Sequence, residues 1–147
     1  MAKKEAVEAT VTGNDQQVGF RAMVMKRAIE YNLAGSARND ANQVVRFILQ
    51  GSKKRINWAV ATIRKGTERS SDIEVTTIPT KVDSALKAFT IVDWTSSRRD
   101  IKNKYDLVFK LRSDDKEISQ RKAEAVWHKI LEKTLSAKDL QKLQPDD

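Results

Sequence analysis

The residues best suited to chemistry lie in one short stretch, GNDQQVGFR, from Gly13 to Arg21. Glycines near both ends allow a tight turn of main chain. A helical pattern begins directly after Arg21 and runs from about Ala22 to Leu33. A helix start leaves its first backbone N–H groups unpaired and carries partial positive charge. An arginine at that place adds a planar, two-pronged donor that fits the oxygens of a phosphate. Several backbone N–H groups of this turn, together with the Arg21 side chain, therefore form a candidate anion cradle. The competing reading of Arg21 is a solvated first-turn arginine.

Other chemistries find little to work with. The 147 residues include no cysteine, so disulfides and thiolate metal sites are absent, and a reducing, cytoplasmic setting is the expectation. The single histidine, His128, falls on a charged side of a C-terminal helical pattern, so no metal site and no cofactor are expected. Asp114 and Asp115 read as helix-start charge rather than as an acid/base pair. Lys53, Lys54 and Arg55, and likewise Arg98 and Arg99, read as solvated charge, with an anion contact the alternative. No charged segment leads into an apolar one at the start, and no apolar run is long enough to span a membrane.

Net charge is +8, and it is uneven. Residues 1–112 hold 21 Lys and Arg against 12 Asp and Glu, whereas the remainder holds 7 against 8. Anion preference thus belongs to the main domain, and nucleic acid, an anionic surface or a small anion are the partner classes it allows. A basic surface serving only solubility explains the same numbers.

The elements that must position the cradle follow in order. Val7, Ala9 and Val11 alternate, as in a half-buried strand. Phe20, Val24, Ala28 and Tyr31 share one helical face. Ser36–Asn39 reads as a short strand, and Asp40, Ala41 and Asn42 as a turn. Val44–Gln50 is a strand with Val45, Phe47 and Leu49 inward. Ser52 is a candidate N-cap for a second helix carrying Ile56, Ala59, Val60 and Ile63, with Gly66 at its end. Ile73–Ile78 reads as a strand that Pro79 confines to an edge or an end. Ala88–Thr95 and Tyr105–Arg112 read as strands, with a polar loop between them. A third helix is expected from Ser113 or Asp114 to about Leu135, through a capping box formed by Asp114 and Glu117. Interleaved split β-α-β units of this kind predict an α+β, ferredoxin-like β-α-β-β-α-β sandwich: an antiparallel sheet with two helices on one face, plus an extra C-terminal helix.

At these residues the sequence resembles the acylphosphatase family. The family pattern close to G-x-V-Q-G-V-x-F-R is matched at Gly13, Gln16, Val18, Phe20 and Arg21, and a second block at Gly35, Arg38, Asn39, Val45 and Gly51. The resemblance covers roughly residues 6–112. It makes Phe89–Trp94 and Tyr105–Leu111 the last two strands, part of 67–87 an insertion or long loop, and 113–147 a helical extension. It implies hydrolysis of the carboxyl-phosphate bond of small acyl phosphates. The phosphate would be held by the amides of Gln16, Gln17, Val18, Gly19, Phe20 and Arg21 and by the Arg21 side chain, and the attacking water oriented by Asn39, with neither metal nor covalent intermediate. By residue type alone Asn39 is equally a turn residue. The chain departs from the family pattern at Asp15, Gln17, Ser36 and Gln43, where an apolar residue, a glycine, an aromatic and a turn glycine are usual.

Two other readings stand beside this one. The first is an acylphosphatase-like domain that binds anions, inorganic phosphate included, with little turnover. The second is a basic nucleic-acid-binding module of the same strand order, disfavoured because such modules stack bases on exposed aromatics of the central strands and only Phe47 is available. The C-terminal stripe Val126, Trp127, Ile130 and Leu131 is expected to dock on apolar surface of the domain, with the open sheet face near Val44 and Ile48 the candidate, or else to mediate self-association.

Overall fold

The computed structural model describes residues 3–14, 19–66, 71–94 and 105–134. Chain order is β1 (Lys4–Asn14), α1 (Phe20–Tyr31), β2 (Ala34–Asn39), a 3-10 turn (Ala41–Gln43), β3 (Val45–Ser52), α2 (Lys53–Arg64), β4 (Ser71–Thr80), β5 (Ala88–Trp94), β6 (Tyr105–Lys110) and α3 (Gln120–Thr134). The strands form one sheet in the order β4-β1-β3-β2-β5-β6. Every pairing is antiparallel except β2 with β5, which is parallel.

The alternation in β1 and β3 sets the register. Val7, Ala9 and Val11 sit opposite Leu49, Phe47 and Val45, so one face of both strands is apolar and meets the helices. At the neighbouring strand the main chains crowd together: Gly35 adopts φ +146°, and a Cβ there would lie 1.7 Å from the carbonyl oxygen of Ile48. Only glycine fits such an approach. Ser52 caps α2 as expected, its hydroxyl accepting from the Arg55 N–H at 3.3 Å.

The closing strands differ from the expectation. A split β-α-β-β-α-β unit is complete when its fourth strand returns beside the first. Here that strand is β4, paired along β1, and it lies inside the segment 67–87 expected as an insertion or loop. Its edge position accommodates Pro79, whose missing N–H would break a ladder in a central strand. The chain then crosses to the opposite edge, where β5 joins β2 and β6 joins β5. The polar loop expected over 95–104 lies outside the described residues.

The third helix also starts later than expected. Asp115 has φ 55°, which an α-helix cannot pass through, and Asp114 bonds Arg112 and the N–H of Lys116. The helix begins beyond Ser119, whose hydroxyl accepts from Lys122 N–H at 3.2 Å, as an N-cap does. Helix α3 does not cover the open sheet face. It lies beside α1 and over β6, with Ala123, Trp127 and Ile130 buried in the same core as Phe20, Phe47, Phe89, Leu107 and Phe109. The Ile118 N–H donates to the Glu30 carbonyl at 3.0 Å, and Glu124 lies 3.7 Å from Lys26. Ile78 and Val108 stay exposed on the uncovered face. Because β5 and β6 widen the sheet beyond the reach of α1 and α2, their inner face needs a third helix, and α3 fills that place.

Candidate active site

The site is built where α1 begins. Gly19 has φ +77°, and among the described residues no side chain caps the helix after it. The first intrahelical bond is from Met23 N–H to the Gly19 carbonyl at 3.0 Å, so the N–H groups of Phe20, Arg21 and Ala22 precede the helical ladder. No acidic residue stands in this first turn to neutralise the dipole. The two helices thus differ, since α2 satisfies one of its early N–H groups with Ser52. The Phe20 ring is fully buried in the core and anchors the turn from below, so its contribution to a cradle is restricted to the main chain. Asp15, Gln16, Gln17 and Val18 lie outside the described residues.

Arg21 reaches from this turn to the end of β5. Its Nη1 donates to the Val92 carbonyl at 2.6 Å and to the Asp93 carbonyl at 3.3 Å. Successive carbonyls of a regular strand point opposite ways, so one donor could not meet both. Asp93 breaks the pattern with φ 55° and a register shift between Ile91 and Trp94, while its N–H donates to the Asp106 carboxylate at 2.9 Å. The guanidinium carbon lies 5.8 Å from the centre of the Trp94 ring. Nε is buried and has no hydrogen-bond partner among the described residues. Burial lowers the pKa of Arg21 from its ordinary value, and the nearby charge of Asp93 partly offsets this; an arginine so placed stays cationic at neutral pH.

Asn39 ends β2, opposite Val45, and is exposed. Paired residues of adjacent strands share a face, and Ala37, two residues earlier, pairs with the buried Phe47. Asn39 is therefore on the helix side of the sheet. The parallel register of β2 and β5 last matches Ala37 with Ile91, so Asn39 and Asp93 are each two residues further along. Arg21, through Val92 and Asp93, and Asn39 occupy the same end of the same strand pair.

The turn after Asn39 is firmly held. Asp40 accepts from the Ala41 N–H at 2.8 Å and from Arg46 Nε at 2.6 Å, and its own N–H donates to the Val44 carbonyl at 2.7 Å. The Arg46 hydrogen bond is the chief cause of an Asp40 pKa below the ordinary aspartate value. Asn42 and Gln43 both carry positive φ, 61° and 62°. A glycine would fit the second position without strain, which is the physical content of that departure from the family pattern.

Other candidate residues have different occupations. Arg55 is paired with Asp115 at 2.5 Å, and Lys54 lies 4.8 Å from the centre of the Trp58 ring. Asp114 is paired with Arg112 at 2.5 Å. His128 is exposed on α3. Among the described residues no group of three or more His, Cys, Asp or Glu is placed to hold a metal ion, and no helix is long and apolar enough to cross a membrane. Phe47 is 1% exposed and faces the core, so it offers no base-stacking surface. Trp94 is the site residue that periodicity understates. The signal was available in the loss of alternation after Ile91, where a polar Asp93 falls on the inward phase.

Comparison with known proteins bears on the first part of the chain. The acylphosphatase family model matches residues 7–91. The acylphosphatase of Clostridium acetobutylicum is 37% identical over 84 residues, which is 56% of this chain and 90% of that protein. The acylphosphatase of Chlorobaculum tepidum is 32% identical over 89 residues, covering 60% of this chain and 97% of that protein. Among solved structures, the crystal structure of acylphosphatase from Bacillus subtilis is similar at a TM-score of 0.52 and 27% identity, covering 60% of this chain and 98% of that one. The family match ends inside β5, so β6 and α3 lie beyond it.

Proposed function

The chain belongs to the acylphosphatase family, and from that premise we propose that it hydrolyses the carboxyl-phosphate bond of small acyl phosphates at the start of α1. The observation that carries the reading is the division of labour within one guanidinium. Nη1 is occupied by the Val92 and Asp93 carbonyls, while Nε is buried without a partner among the described residues. Nε and Nη2 form the side-on edge of an arginine, the edge that bonds two oxygens of a phosphate in parallel. A buried donor without an acceptor calls for a ligand, and the N–H groups of Phe20, Arg21 and Ala22, which precede the helical ladder, belong to the same turn.

In this reading the phosphoryl group rests between those N–H groups and the Nε–Nη2 edge, with Gln16, Gln17 and Val18 completing the cradle. Asn39 holds the attacking water, its amide accepting from the water and donating to a phosphoryl oxygen. The water oxygen forms a bond to phosphorus as the bond from phosphorus to the acyl oxygen breaks. The products are a carboxylate and inorganic phosphate, and the surplus proton leaves to solvent. A carboxylate is a good leaving group, so positioning and charge stabilisation suffice in place of a strong acid or base. The basic charge of residues 1–112 favours capture of the anionic substrate.

The test is benzoyl phosphate hydrolysis by the wild type, Arg21→Ala and Asn39→Ala, with circular dichroism to verify folding. Turnover that is lost in both variants supports the assignment. Binding of inorganic phosphate without turnover in the wild type replaces it with an anion-binding domain, and turnover indifferent to both substitutions removes the site.

A further inference from the structure

Helix α3 lies outside the family match, yet it reaches the arginine of the proposed site through two indoles in edge-to-face contact. Trp127 is 5% exposed and meets Trp94 edge-on, with ring centres 5.6 Å apart and planes at 82°. Trp94 also neighbours Arg21, whose guanidinium carbon lies 5.8 Å from its ring centre. We propose that Trp127 is a positioning residue for Arg21: it pins Trp94, and Trp94 holds the guanidinium so that the Nε–Nη2 edge faces the anion.

The need for such a device follows from the local geometry. An arginine side chain is long and flexible, and its stacking partner must itself be fixed to restrain it. Trp94 stands at the last described position of β5, just past the irregularity at Asp93, where regular pairing no longer fixes it from both sides. Its indole nitrogen is buried and has no hydrogen-bond partner among the described residues. Ring orientation therefore depends on packing, and Trp127 supplies an edge-to-face contact of favoured geometry. Helix α3 and the segment leading into it are in turn tied to α1, the helix that carries Arg21, by the Ile118 N–H to Glu30 carbonyl bond and the Lys26–Glu124 pair. The extension thus closes a loop of contacts from α1 through α3 and β5 back to α1.

This inference rests on the hydrolase reading for its catalytic consequence but not for the tether, and the experiment separates the two. The full chain is compared as wild type, Trp127→Leu, Trp127→Phe, Trp94→Leu and Ile130→Ala. The readouts are benzoyl phosphate kinetics, inhibition by inorganic phosphate, thermal midpoint, and NMR exchange of the Arg21 Nε–H with solvent. Trp127→Leu is expected to speed Nε–H exchange, to weaken phosphate inhibition and to lower kcat/KM about tenfold. Trp127→Phe, which keeps an aromatic edge, should recover most of each effect. Ile130→Ala removes another buried side chain of α3, and should lower the thermal midpoint while leaving exchange and kcat/KM near wild type.

Unchanged Nε–H exchange in folded Trp127→Leu overturns the proposal. So does an Ile130→Ala variant that loses as much activity, because that would make helix docking in general the cause. Should Trp127→Leu not fold, Trp94→Leu breaks the relay at its other end and is held to the same outcomes. A wild type without benzoyl phosphate turnover overturns the hydrolase reading, and the exchange measurement still decides the tether.

Discussion

Nη1 of Arg21 lies 2.6 Å from the carbonyl oxygen of Val92, 71 positions further along the chain. That bond joins the first turn of α1 to the end of β5 and leaves only one edge of the guanidinium for a ligand. A point charge cannot divide its donors in this way, because an ammonium has no fixed fork. Arg21→Lys is therefore expected to lose about a hundredfold or more in kcat/KM for benzoyl phosphate, nearly as much as Arg21→Ala. Activity within threefold of wild type would show that charge alone serves.

The turn that follows Asn39 carries measurable strain. Gln43 sits at φ 62°, a conformation that costs a side-chain-bearing residue on the order of 1 kcal/mol. Gln43→Gly relieves this but adds freedom to the unfolded chain. A net gain of up to about 1 kcal/mol is expected in a urea unfolding curve, and a loss of stability would contradict it.

Gly35 carries the opposite expectation. A Cβ at 1.7 Å from the Ile48 carbonyl oxygen cannot be absorbed, since the obstacle is main chain rather than a flexible side chain. Gly35→Ala must part β2 from β3 in the middle of the sheet. We expect a loss of about 3 kcal/mol or more, at the upper end of single-residue effects, read as the midpoint shift in the same unfolding experiment.

Removal of α3 is expected to be costly for the whole domain. Trp127 and Ile130 are buried, and replacing a buried tryptophan by alanine alone costs about 3–5 kcal/mol. A chain ending after Arg112 should therefore unfold well below the wild-type midpoint, or self-associate through the uncovered inner face of β5 and β6. Gel filtration and thermal melting would check this, and a stable monomer with an unchanged midpoint would refute the packing role.

The Asp40–Arg46 pair gives the Asn39 turn a pH dependence. Because the Asp40 pKa is lowered in the folded protein, the pair contributes fully above the unfolded value, about 3.9, and its contribution is lost as pH falls through the lower folded value. Both side chains are substantially solvent-exposed, so the effect on global stability is small. The sharper readout is a carboxyl NMR titration: Arg46→Ala should move the Asp40 midpoint upward toward that of an ordinary aspartate.

Residue order alone was enough for the family and most of the elements, and it marked the residues of the proposed cradle. Period-2 alternation in Val7–Val11 and Val45–Leu49, helical spacing from Phe20 to Tyr31, and Ser52 before an apolar helix are local patterns, each imposed by one element's own geometry. Tertiary structure decided the rest, for reasons that act between elements. The run Ile73–Ile78 already reads as an edge strand, but its place beside β1, where it closes the split unit, depends on the unpaired edge that β1 offers. The start of α3 was set by Ser119 over Asp114 because Asp115 turned to pair with Arg55, 60 residues away. The partners of Arg21, namely two carbonyls brought onto one side by the Asp93 irregularity and an indole braced from a helix beyond the family match, depend on packing across the sheet that no spacing along the chain encodes.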